Sequence, residues 1–539
     1  MPRPGASRES EVKLLELRVL DGPNRFFSRP AVKLEFQADA PGAASEAAAS
    51  AGLAIRRLHV ALDMPAPSIT SRQSVDRRRA LVAYPWRRRT VSQAIGASAA
   101  RLALKRSSER RELSGLRAVA LGPLPHVPRP HVPIVAVTGT NGKSTTTRLI
   151  AHVAAAAGRR VGMTNSDGIF INGDLVEAGD WTGFGGAGRV LSERGLDLAV
   201  LETARGGILL RGIGYAANDV SVVTNVSADH LGLQGIDTLD ELAEVKGAIV
   251  RITKREGWAV LNADDPLAWA MRRETRAQWY AFSLEPASSR VEEALDGGGR
   301  AAVLERGWLV LRGAGRRPVR LARAADLAVT FAGLSRYNIA NALAAAAACD
   351  ALHIPHPELA DGLRSFGAGA DANPGRLNLF ERRGVLVLID FAHNEAGLRG
   401  LLEVCRALAG PRKIRLGYGT AGDRTDEILH ALGVLAGSGA DDLVIAEKRH
   451  YLRGRDLEEM NALLRAGAVE GGYRGEIPAC ATELASLQAL LERARRGDVV
   501  AIMAHSERGE ILAWLAAEGF EPMTSDRLRA VLGRQTDQG

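Results

Sequence analysis

Short apolar runs alternate with longer segments of helical periodicity between residues 134 and 262, and this alternation predicts a parallel α/β sheet. The segment 144–158 has the spacing of a helix and ends at Gly158, a residue type that often follows the last helical turn. The predicted strands of this unit are 134–139, 159–165, 196–203, 219–226 and 258–262.

A second α/β unit follows a break in the pattern near 368–375. Before the break, 337–352 is a strongly predicted helix, and the Gly- and Arg-rich stretch 287–330 has short strand-like pieces that suggest an irregular hairpin insertion. The predicted strands of the second unit are 384–394, 413–423, 441–448 and 497–505.

The first 120 residues have a different pattern. Two β segments, 12–20 and 31–36, are joined by the turn-like DGPNRFF, residues 44–54 are either helix or linker, and 90–113 has helical spacing. Residues 121–133 contain five prolines and are predicted to be a linker. The expected fold class is therefore α/β, with a small α+β N-terminal domain, a central parallel-sheet domain and a Rossmann-like C-terminal α/β domain. The expected boundaries are 1–128, 129–370 and 371–539.

Composition narrows the class of protein. The 539 residues are 46% hydrophobic, which is enough for several cores, and no apolar run is long enough for a membrane span. The N-terminal sequence has no apolar signal core. Three cysteines, which are far apart and lack metal-ligand spacing, fit a reducing compartment. We expect a cytoplasmic protein without a membrane partner.

The net charge of +8 has two explanations. A basic chain can bind a polyanion such as nucleic acid. However, only eight of the 70 basic residues are lysine, and this excess of arginine, with abundant Ala and Gly, indicates compositional bias instead. We therefore expect no nucleic-acid partner. The few lysines that remain, Lys143 and Lys246 among them, then mark positions where a compact, tunable charge is needed.

The sequence TGTNGKST, residues 138–145, follows a predicted strand and begins a predicted helix. Glycines let the backbone N–H groups turn towards a phosphate, to which the helix N-terminus adds its dipole. Lys143 would reach the terminal phosphates and the Ser144 hydroxyl would bind Mg²⁺. A strict P-loop needs Gly where this chain has Val137, so the loop is a shortened form. The predicted nucleotide-binding residues of the loop are Gly139, Thr140, Asn141, Gly142, Lys143, Ser144 and Thr145.

This shortened loop resembles that of the Mur ligase superfamily. The segments LETARGGILLRGIG (201–214), IDFAHNEAGLRGL (389–401) and GTAGDRTDEI (419–428) resemble the cyanophycin synthetase subgroup, as does LELRVLDGPNRF (16–27) near the start. The resemblance covers most of the chain in order. One departure is large, because that subgroup has an ATP-grasp module where this chain has only the linker 121–133.

Several site residues follow from the motifs and from this resemblance. Glu202 ends a strand beside the phosphate loop, where a carboxylate would hold Mg²⁺ together with Ser144; the alternative is a helix N-cap or surface acid. The resemblance implies that His230 helps to bind a metal near the γ-phosphate. It also implies an active-site position for Lys246, which is carbamylated in some Mur ligases and otherwise would be a solvated helix lysine.

The C-terminal part would complete the nucleotide site. The resemblance implies that Asn338 contacts adenine, although Tyr337 stands where many members have His, and Asn338 could instead be a helix N-cap. It implies that Arg376 faces the phosphates and that Asp390 contacts ribose. The predicted substrate residues are Thr164, Asp180, Thr182, Arg205, His393, Asp423 and Arg424, among which Arg205 offers a bidentate fork for a carboxylate.

The resemblance implies an ATP- and Mg²⁺-dependent carboxylate–amine ligase that acts through an acyl phosphate, and in this subgroup the Mur-like half attaches arginine to aspartate side chains of a peptide polymer. The expected partners are an amino acid and a carboxylate-bearing, peptide-like acid, and a homo-oligomer is compatible with the sequence. The alternatives are a small-acid ligase of the folylpolyglutamate synthase type and a non-catalytic nucleotide- or polymer-binding protein. The sequence lacks the guanine-reading motif of a switch GTPase and the motifs of a motor protein. Only the C-terminal motifs DFAHN and AGDRTDE favour a ligase over a kinase.

Overall fold

The computed structural model describes residues 11–229 and 231–536, and three β-sheets lie within them. The sheets occupy successive parts of the chain, and the linker 121–133 contains no helix or strand. Both expected domain boundaries fall between elements, and they remain predictions. No helix in the described ranges is long and apolar enough to cross a membrane.

The N-terminal sheet has four antiparallel strands in the order β1-β2-β4-β3. The helix α1 and the helix α2 pack against it. Alanines fill the buried face of α1, and their small side chains let the helix lie close to Phe36 and Val82 of the sheet. The segment that the sequence left as helix or linker is therefore helix, and 90–113 contains two helices instead of one. The elements are β1 (Val12–Leu20), β2 (Ala31–Ala38), α1 (Ala43–Ala61), β3 (Thr70–Gln73), β4 (Arg79–Pro85), α2 (Arg89–Ala103) and α3 (Glu109–Arg117).

The central sheet has eleven strands in the order β15-β14-β13-β12-β11-β10-β5-β9-β6-β7-β8. The seven strands from β13 to β6 are parallel, and an antiparallel extension lies at each edge. Its strands are β5 (Ile134–Thr138), β6 (Val161–Thr164), β7 (Gly168–Ile171), β8 (Asp174–Ala178), β9 (Leu198–Glu202), β10 (Asn218–Val223), β11 (Thr253–Asn262), β12 (Gln278–Ser283), β13 (Arg300–Glu305), β14 (Trp308–Gly313) and β15 (Val319–Arg323).

Helices cover both faces of this sheet. Side chains of β5 alternate, so that Val135 and Val137 enter one core cluster while Ile134 and Ala136 enter the other. The helices are α4 (Lys143–Ala156), α5 (Phe184–Leu191), α6 (Arg205–Leu210), α7 (Leu239–Lys246), α8 (Ala248–Arg251), α9 (Pro266–Ala270), α10 (Ser289–Asp296), α11 (Arg336–Ala351) and α12 (His356–Ser365), with short 3₁₀ turns at Met271–Glu274, Ala324–Asp326 and Ala328–Thr330.

The prediction for 287–330 is wrong in one respect. This stretch is not an irregular insertion, because β13 pairs in parallel with β12, and β14 and β15 continue the central sheet by regular antiparallel pairing. The alternating apolar residues Val303, Leu309 and Leu311 are buried in the same core clusters as the parallel strands. The turn-rich composition reflects tight turns between short strands.

The C-terminal sheet has the order β20-β19-β18-β21-β17-β16-β22, parallel from β20 to β17 and antiparallel at β16 and β22. Its elements are β16 (Asn378–Arg382), β17 (Val385–Asp390), α13 (Glu395–Ala409), β18 (Ile414–Tyr418), α14 (Asp426–Gly439), β19 (Asp442–Ala446), a 3₁₀ turn (Arg449–Tyr451), α15 (Leu457–Glu470), β20 (Ala479–Cys480), α16 (Glu483–Glu492), β21 (Val499–Met503), α17 (Arg508–Ala517), β22 (Glu521–Pro522) and α18 (Ser525–Thr536).

Glycines let α14 and α15 lie in direct backbone contact. A Cβ atom added to Gly433 would lie 2.3 Å from the Leu464 carbonyl oxygen, and one added to Gly467 would lie 2.0 Å from the His430 carbonyl oxygen. Real Cβ atoms do not approach backbone oxygens this closely. The two helices therefore have no room for a side chain at either position.

We predict that Gly467→Ala lowers the free energy of unfolding by about 1–3 kcal/mol, because the added methyl group forces the two helices apart. Thermal and denaturant unfolding would measure the change. Gly509→Ala is the matched control, since Gly509 lies in α17 with nothing within 4 Å of an added Cβ. Equal stability of the two variants would contradict the close packing.

Candidate active site

One cavity of about 800 Å³ lies where the carboxyl ends of the central strands face the C-terminal domain. In parallel sheets, polar residues at the strand ends and in the following loops meet at such an edge. Of the predicted site residues that the structure describes, all but Thr164 and Arg424 line this cavity. His230 lies outside the described residues.

The phosphate loop connects β5 to α4, and its glycines are required by close contacts. Gly139 has a φ of 151° and Gly142 a φ of 82°. An added Cβ would lie 1.8 Å from Oγ1 of Thr224 at the first position and 2.2 Å from Oδ1 of Asn341 at the second. The loop can adopt this path only without side chains at these two positions.

Asn225, which follows β10, holds the loop in place. Its carbonyl oxygen accepts a hydrogen bond from the Thr140 amide (2.9 Å), and its Oδ1 accepts one from the Asn141 amide (2.9 Å). Those two amides are therefore occupied. The first amides of α4, at Lys143 to Thr145, have no intrahelical carbonyl partner, so they are the groups that can receive a phosphate.

Lys143 and Lys246 both contact the loop backbone. Nζ of Lys143 donates to the Thr140 carbonyl at 2.8 Å, and Nζ of Lys246 donates to the Gly139 carbonyl at 2.7 Å. Lys246 is buried, and burial together with the positive charge of Lys143 lowers its pKa well below the usual lysine value. A lowered pKa favours the neutral amine, which is the form that reacts with CO₂. The position of Lys246 is therefore compatible both with holding the Gly139 carbonyl and with carbamylation.

Glu202 ends β9, directly beside β5 in the sheet. The side chain is buried, and its Oε2 has no hydrogen-bond partner among the described residues. Burial raises the pKa of its carboxyl, while Lys143 and Arg376 act in the opposite direction. A buried carboxylate oxygen without a partner and the Ser144 hydroxyl, which lines the same cavity, fit a hard divalent cation.

No cluster of three or more His, Cys, Asp or Glu side chains suited to a metal occurs within 11–229 and 231–536. The predicted set of Ser144, Glu202 and His230 contains only one such residue in these ranges. A magnesium site of this kind relies on few protein ligands, because Mg²⁺ retains waters and takes oxygens from the phosphates. The metal assignment remains a prediction.

The C-terminal domain supplies the opposite wall. The Arg376 guanidinium lies 4.3 Å from the ring centroid of Phe391, and its Nη2 donates to Oγ of Ser144 (3.3 Å) and to Oγ of Ser166 (3.2 Å). An arginine from one domain thus contacts the phosphate-loop helix of the other. The role of Arg376 at the phosphates stays a prediction.

Asparagines link the two domains directly. Nδ2 of Asn141 donates to Oδ1 of Asn394 at 3.1 Å, and Nδ2 of Asn394 donates to Oδ1 of Asn141 at 3.0 Å. Asn394 also caps α13 by accepting from the Gly397 amide. The start of α13 is therefore held against the phosphate loop, and the two domains are closed upon one another.

The predicted adenine contact, Asn338, lies at the start of α11 and is buried. Its Nδ2 donates to the Val329 carbonyl (2.8 Å), and its Oδ1 accepts from Nδ2 of Asn341 (3.0 Å). One N–H and one lone pair of the amide remain for a ligand. Tyr337, beside it, packs against Gly400 of α13, where a Cβ would lie 2.8 Å from the ring.

Charged side chains from both domains meet at the far end of the cavity. Nη2 of Arg424 lies 3.0 Å from Oδ1 of Asp229, and its Nη1 lies 2.8 Å from Oδ1 of Asp423. His393 Nε2 lies 3.6 Å from the other oxygen of Asp229. Arg424 is almost fully buried and orients the two carboxylates, while Asp229 and Asp423 face the cavity.

Of the remaining substrate candidates, three line the cavity and one does not. Asp180 and Thr182 line the cavity and are joined by a hydrogen bond from Thr182 Oγ1 to Asp180 Oδ1 of 2.6 Å. Arg205 lines it too and donates to the Leu233 carbonyl. Thr164 is buried at the end of β6, away from the cavity wall.

Sequence reasoning singled out neither Asn225 nor Gln234 as a site residue, and both belong to the site. Ser166, which lies in the predicted substrate loop 164–174, also belongs to it. Asn225 lies near the end of the predicted strand 219–226, so its strand-end position was a usable signal. Gln234 has a φ of 56°, in the left-handed region, and lies in a loop without periodicity. Only the folded chain brings it to the cavity.

Two family models match the central and C-terminal parts of the chain. Residues 137–349 match the Mur ligase middle domain, and residues 375–505 match the Mur ligase glutamate ligase domain. The chain belongs to the Mur ligase family. The Mur ligase domains account for the phosphate loop and for the wall that carries Asp390, while the N-terminal sheet lies outside both matches.

Among the relatives, the cyanophycin synthetase of Geminocystis herdmanii (strain PCC 6308) is 40% identical over 381 residues, which cover 70% of this chain and 43% of that protein. The chain thus spans less than half the length of this relative. Among solved structures, E. coli FolC in complex with DHPP and ADP has a TM-score of 0.52 at 19% identity, covering 73% of this chain and 90% of that one. A bifunctional folylpolyglutamate synthase/dihydrofolate synthase with Mn, AMPPNP and L-glutamate bound has a TM-score of 0.51 at 18% identity, with 72% and 89% covered.

Burial raises the pKa of the Asp390 carboxyl to about 6, although Arg376 and the amides of Leu377 and Ala392 favour its charged form. Below pH 4 the carboxyl is protonated in both folded and unfolded chains. Above pH 6 the folded chain must bury a charge, so its stability falls as the pH rises from 4 to 6.

We predict that Asp390→Asn gains stability relative to the wild type across this pH range, by on the order of 3 kcal/mol, because the amide carries no charge to bury. Chemical denaturation at several pH values would measure the difference. Asp361→Asn, at an exposed position on α12, is the matched control. A difference that stays constant or declines between pH 4 and pH 7 would contradict the assigned burial cost.

Proposed function

We propose that the chain is an ATP-dependent ligase that joins the carboxylate of one substrate to the amine of an amino acid. The observation that carries the proposal is a single cavity with a phosphate loop on one wall and a cluster of charged side chains, including Asp229 and Asp423, on the other. A simple nucleotide hydrolase needs only the first wall. The second wall suits a reactant that has both a carboxylate and an amine.

The chemistry has two steps. A carboxylate oxygen of the acid attacks the γ-phosphorus of ATP, the bond to the bridging oxygen breaks, and ADP leaves. The amine then attacks the acyl carbon, phosphate departs with the electrons of the C–O bond, and the nitrogen loses a proton. Both steps depend on positioning and on neutralising charge.

The residues present can meet these demands. The first amides of α4 and Nζ of Lys143 would hold the phosphates, and Arg376 would face them from the other domain. Ser144 and Glu202 would hold Mg²⁺, which would neutralise charge on the transferring phosphoryl group. Manganese and AMPPNP in the folylpolyglutamate synthase structure support a divalent cation and ATP.

Domain closure would protect the activated acid from water. The Asn141–Asn394 pair and the contact from Arg376 to Ser144 hold the two walls together. A closed cavity excludes water that would otherwise hydrolyse an acyl phosphate. Opening of these contacts would then admit substrates and release products.

We further propose a peptide-like acid that contains aspartate and an amino acid such as arginine as the amine. The 40% identity to a cyanophycin synthetase supports this choice. Asp229 and Asp423 at the cavity suit an amine or guanidinium, and Arg205 suits a carboxylate. A folate-type acid has weaker support, since the folylpolyglutamate synthases are only 18–19% identical.

The direct test measures ADP release over a panel of amino acids, with and without aspartate-containing peptides, together with the mass of the product. We expect release that needs both reactants and a product heavier than the acid by the amine less one water. A phosphorylated product formed without an amine would identify a kinase instead. Failure of every acid–amine pair to raise ATP turnover would exclude the ligase.

A second prediction concerns Lys143. We expect Lys143→Ala to lower kcat by about 10²–10³-fold, because it removes the ammonium that would stabilise charge on the transferred phosphoryl group. Lys254→Ala is the matched control, since Lys254 is a partly exposed lysine of the same domain that pairs with Asp219. Similar turnover by the two variants would remove Lys143 from the proposed mechanism.

A further inference from the structure

A loop of the N-terminal domain reaches into the central domain at the active-site wall. Arg25 lies in this loop between β1 and β2, and only 2% of its side chain is exposed. Its Nε donates to Glu244 at 2.8 Å, its Nη2 donates to Glu241 at 3.2 Å, and its Nη1 donates to the Gly235 carbonyl at 3.4 Å. One buried guanidinium thus joins α7 to the loop before it.

Glu241 already fixes the start of α7. Its Oε2 accepts from the amides of Asp237 (2.7 Å) and Thr238 (3.2 Å), while the Thr238 hydroxyl accepts from the Glu241 amide. This capping box sets where the helix begins. Because Arg25 binds the other carboxylate oxygen, the N-terminal domain holds the beginning of α7, and Lys246 lies at its end against the Gly139 carbonyl.

The loop that Arg25 contacts is part of the cavity wall. Leu233 and Gln234 line the cavity, and the Leu233 carbonyl accepts a hydrogen bond from Arg205. Gln234 also lines a second cleft of about 260 Å³, whose other residues include Lys33 and Arg79 of the N-terminal sheet. Gln234 therefore lines both the reaction cavity and the cleft at the N-terminal sheet.

The same N-terminal loop is fixed on its other side by backbone contacts. The amides of Asp21 and Gly22 donate to the Arg211 carbonyl at 2.8 and 3.2 Å, and the Ile213 amide donates to the Pro23 carbonyl at 2.6 Å. A Cβ on Gly22 would lie 1.8 Å from the Ile213 carbonyl oxygen. The loop is therefore wedged between the segment that follows α6 and the start of α7.

We propose that Arg25 is a positioning residue for ligation: through Glu241, Glu244 and the Gly235 carbonyl it holds the cavity loop and α7, so that Lys246 and Arg205 stay in register with the phosphate loop. This role rests on the proposed function. Arg25 touches no reacting atom and acts only through the segments that it holds. The N-terminal domain is then a structural part of the ligation site.

The test compares Arg25→Ala and Arg25→Lys with the wild type in steady-state ADP release and in the stoichiometry of nucleotide binding. We expect Arg25→Ala to lower kcat by about tenfold or more, since small displacements of active-site groups are costly to the rate. The KM for ATP should stay within about twofold, because Asn225 still holds the amides of the phosphate loop from the central sheet. The kcat of Arg25→Lys should lie between those of Arg25→Ala and the wild type.

Arg72→Ala is the matched control. Arg72 binds the same Glu244 carboxylate at 2.6 Å, but its side chain is exposed, and the hydrogen bonds to Glu241 and Gly235 come from Arg25. We expect its kcat within about twofold of the wild type, because exposed ion pairs contribute little. A loss equal to that of Arg25→Ala would attribute the effect to Glu244 alone and would overturn the role of Arg25.

Nucleotide stoichiometry separates positioning from loss of fold. If Arg25 were only structural, the fraction of chains that bind nucleotide would fall with the rate, and kcat per bound nucleotide would be unchanged, which overturns the proposal. Should Arg25→Ala fail to fold, Arg25→Lys and Glu241→Gln decide, since Gln preserves a capping box but weakens the pair with Arg25. Unchanged kcat in both would overturn it.

The two proposals fail in different ways. A wild-type chain without amine-dependent ADP release contradicts the proposed function, and with it any role of Arg25 in ligation. An active wild type whose Arg25 and Glu241 variants are equally active contradicts the role of Arg25 alone.

Discussion

The path of the phosphate loop is the constraint on which the rest of the site depends. Gly139 and Gly142 have positive φ angles, and each lies against a neighbouring side chain where no Cβ fits. Asn225 occupies two of the loop amides and Lys246 binds the Gly139 carbonyl. The loop is thus held rigidly from the sheet and from α7, and the remaining amides of α4 are left for an anion.

All three domains contribute to this arrangement. The C-terminal domain adds Asn394 and Arg376, which contact Asn141 and Ser144 directly. The N-terminal domain adds Arg25, which fixes the start of the helix that ends at Lys246. Groups far apart in sequence therefore act together on the position of one short loop. Ligation needs such agreement, because the phosphoryl donor, the acid and the amine must be aligned at once.

Much of the fold and part of the site could be predicted because they depend on local sequence. Apolar alternation located β5, β9, β10 and β17, and TGTNGKST placed Lys143 and Ser144 at a strand-to-helix turn. Thr164 and Arg424 show the limit of this reasoning. Thr164 ends a predicted strand and Arg424 lies in the loop after one, yet both side chains are buried and neither lines the cavity. Whether a side chain at such a position faces the cavity or the interior depends on packing.

By itself the sequence determined the strand–helix order, the phosphate loop and the strand-end carboxylates Glu202 and Asp390, because periodicity and glycine placement act over a few residues. Only the tertiary structure decided which distant groups meet. It added the strands β13, β14 and β15 to the edge of the central sheet. It also paired Asn141 with Asn394 and placed Arg25 against Glu241 at the start of α7. These contacts join segments up to 253 residues apart, and no local pattern in the chain encodes them.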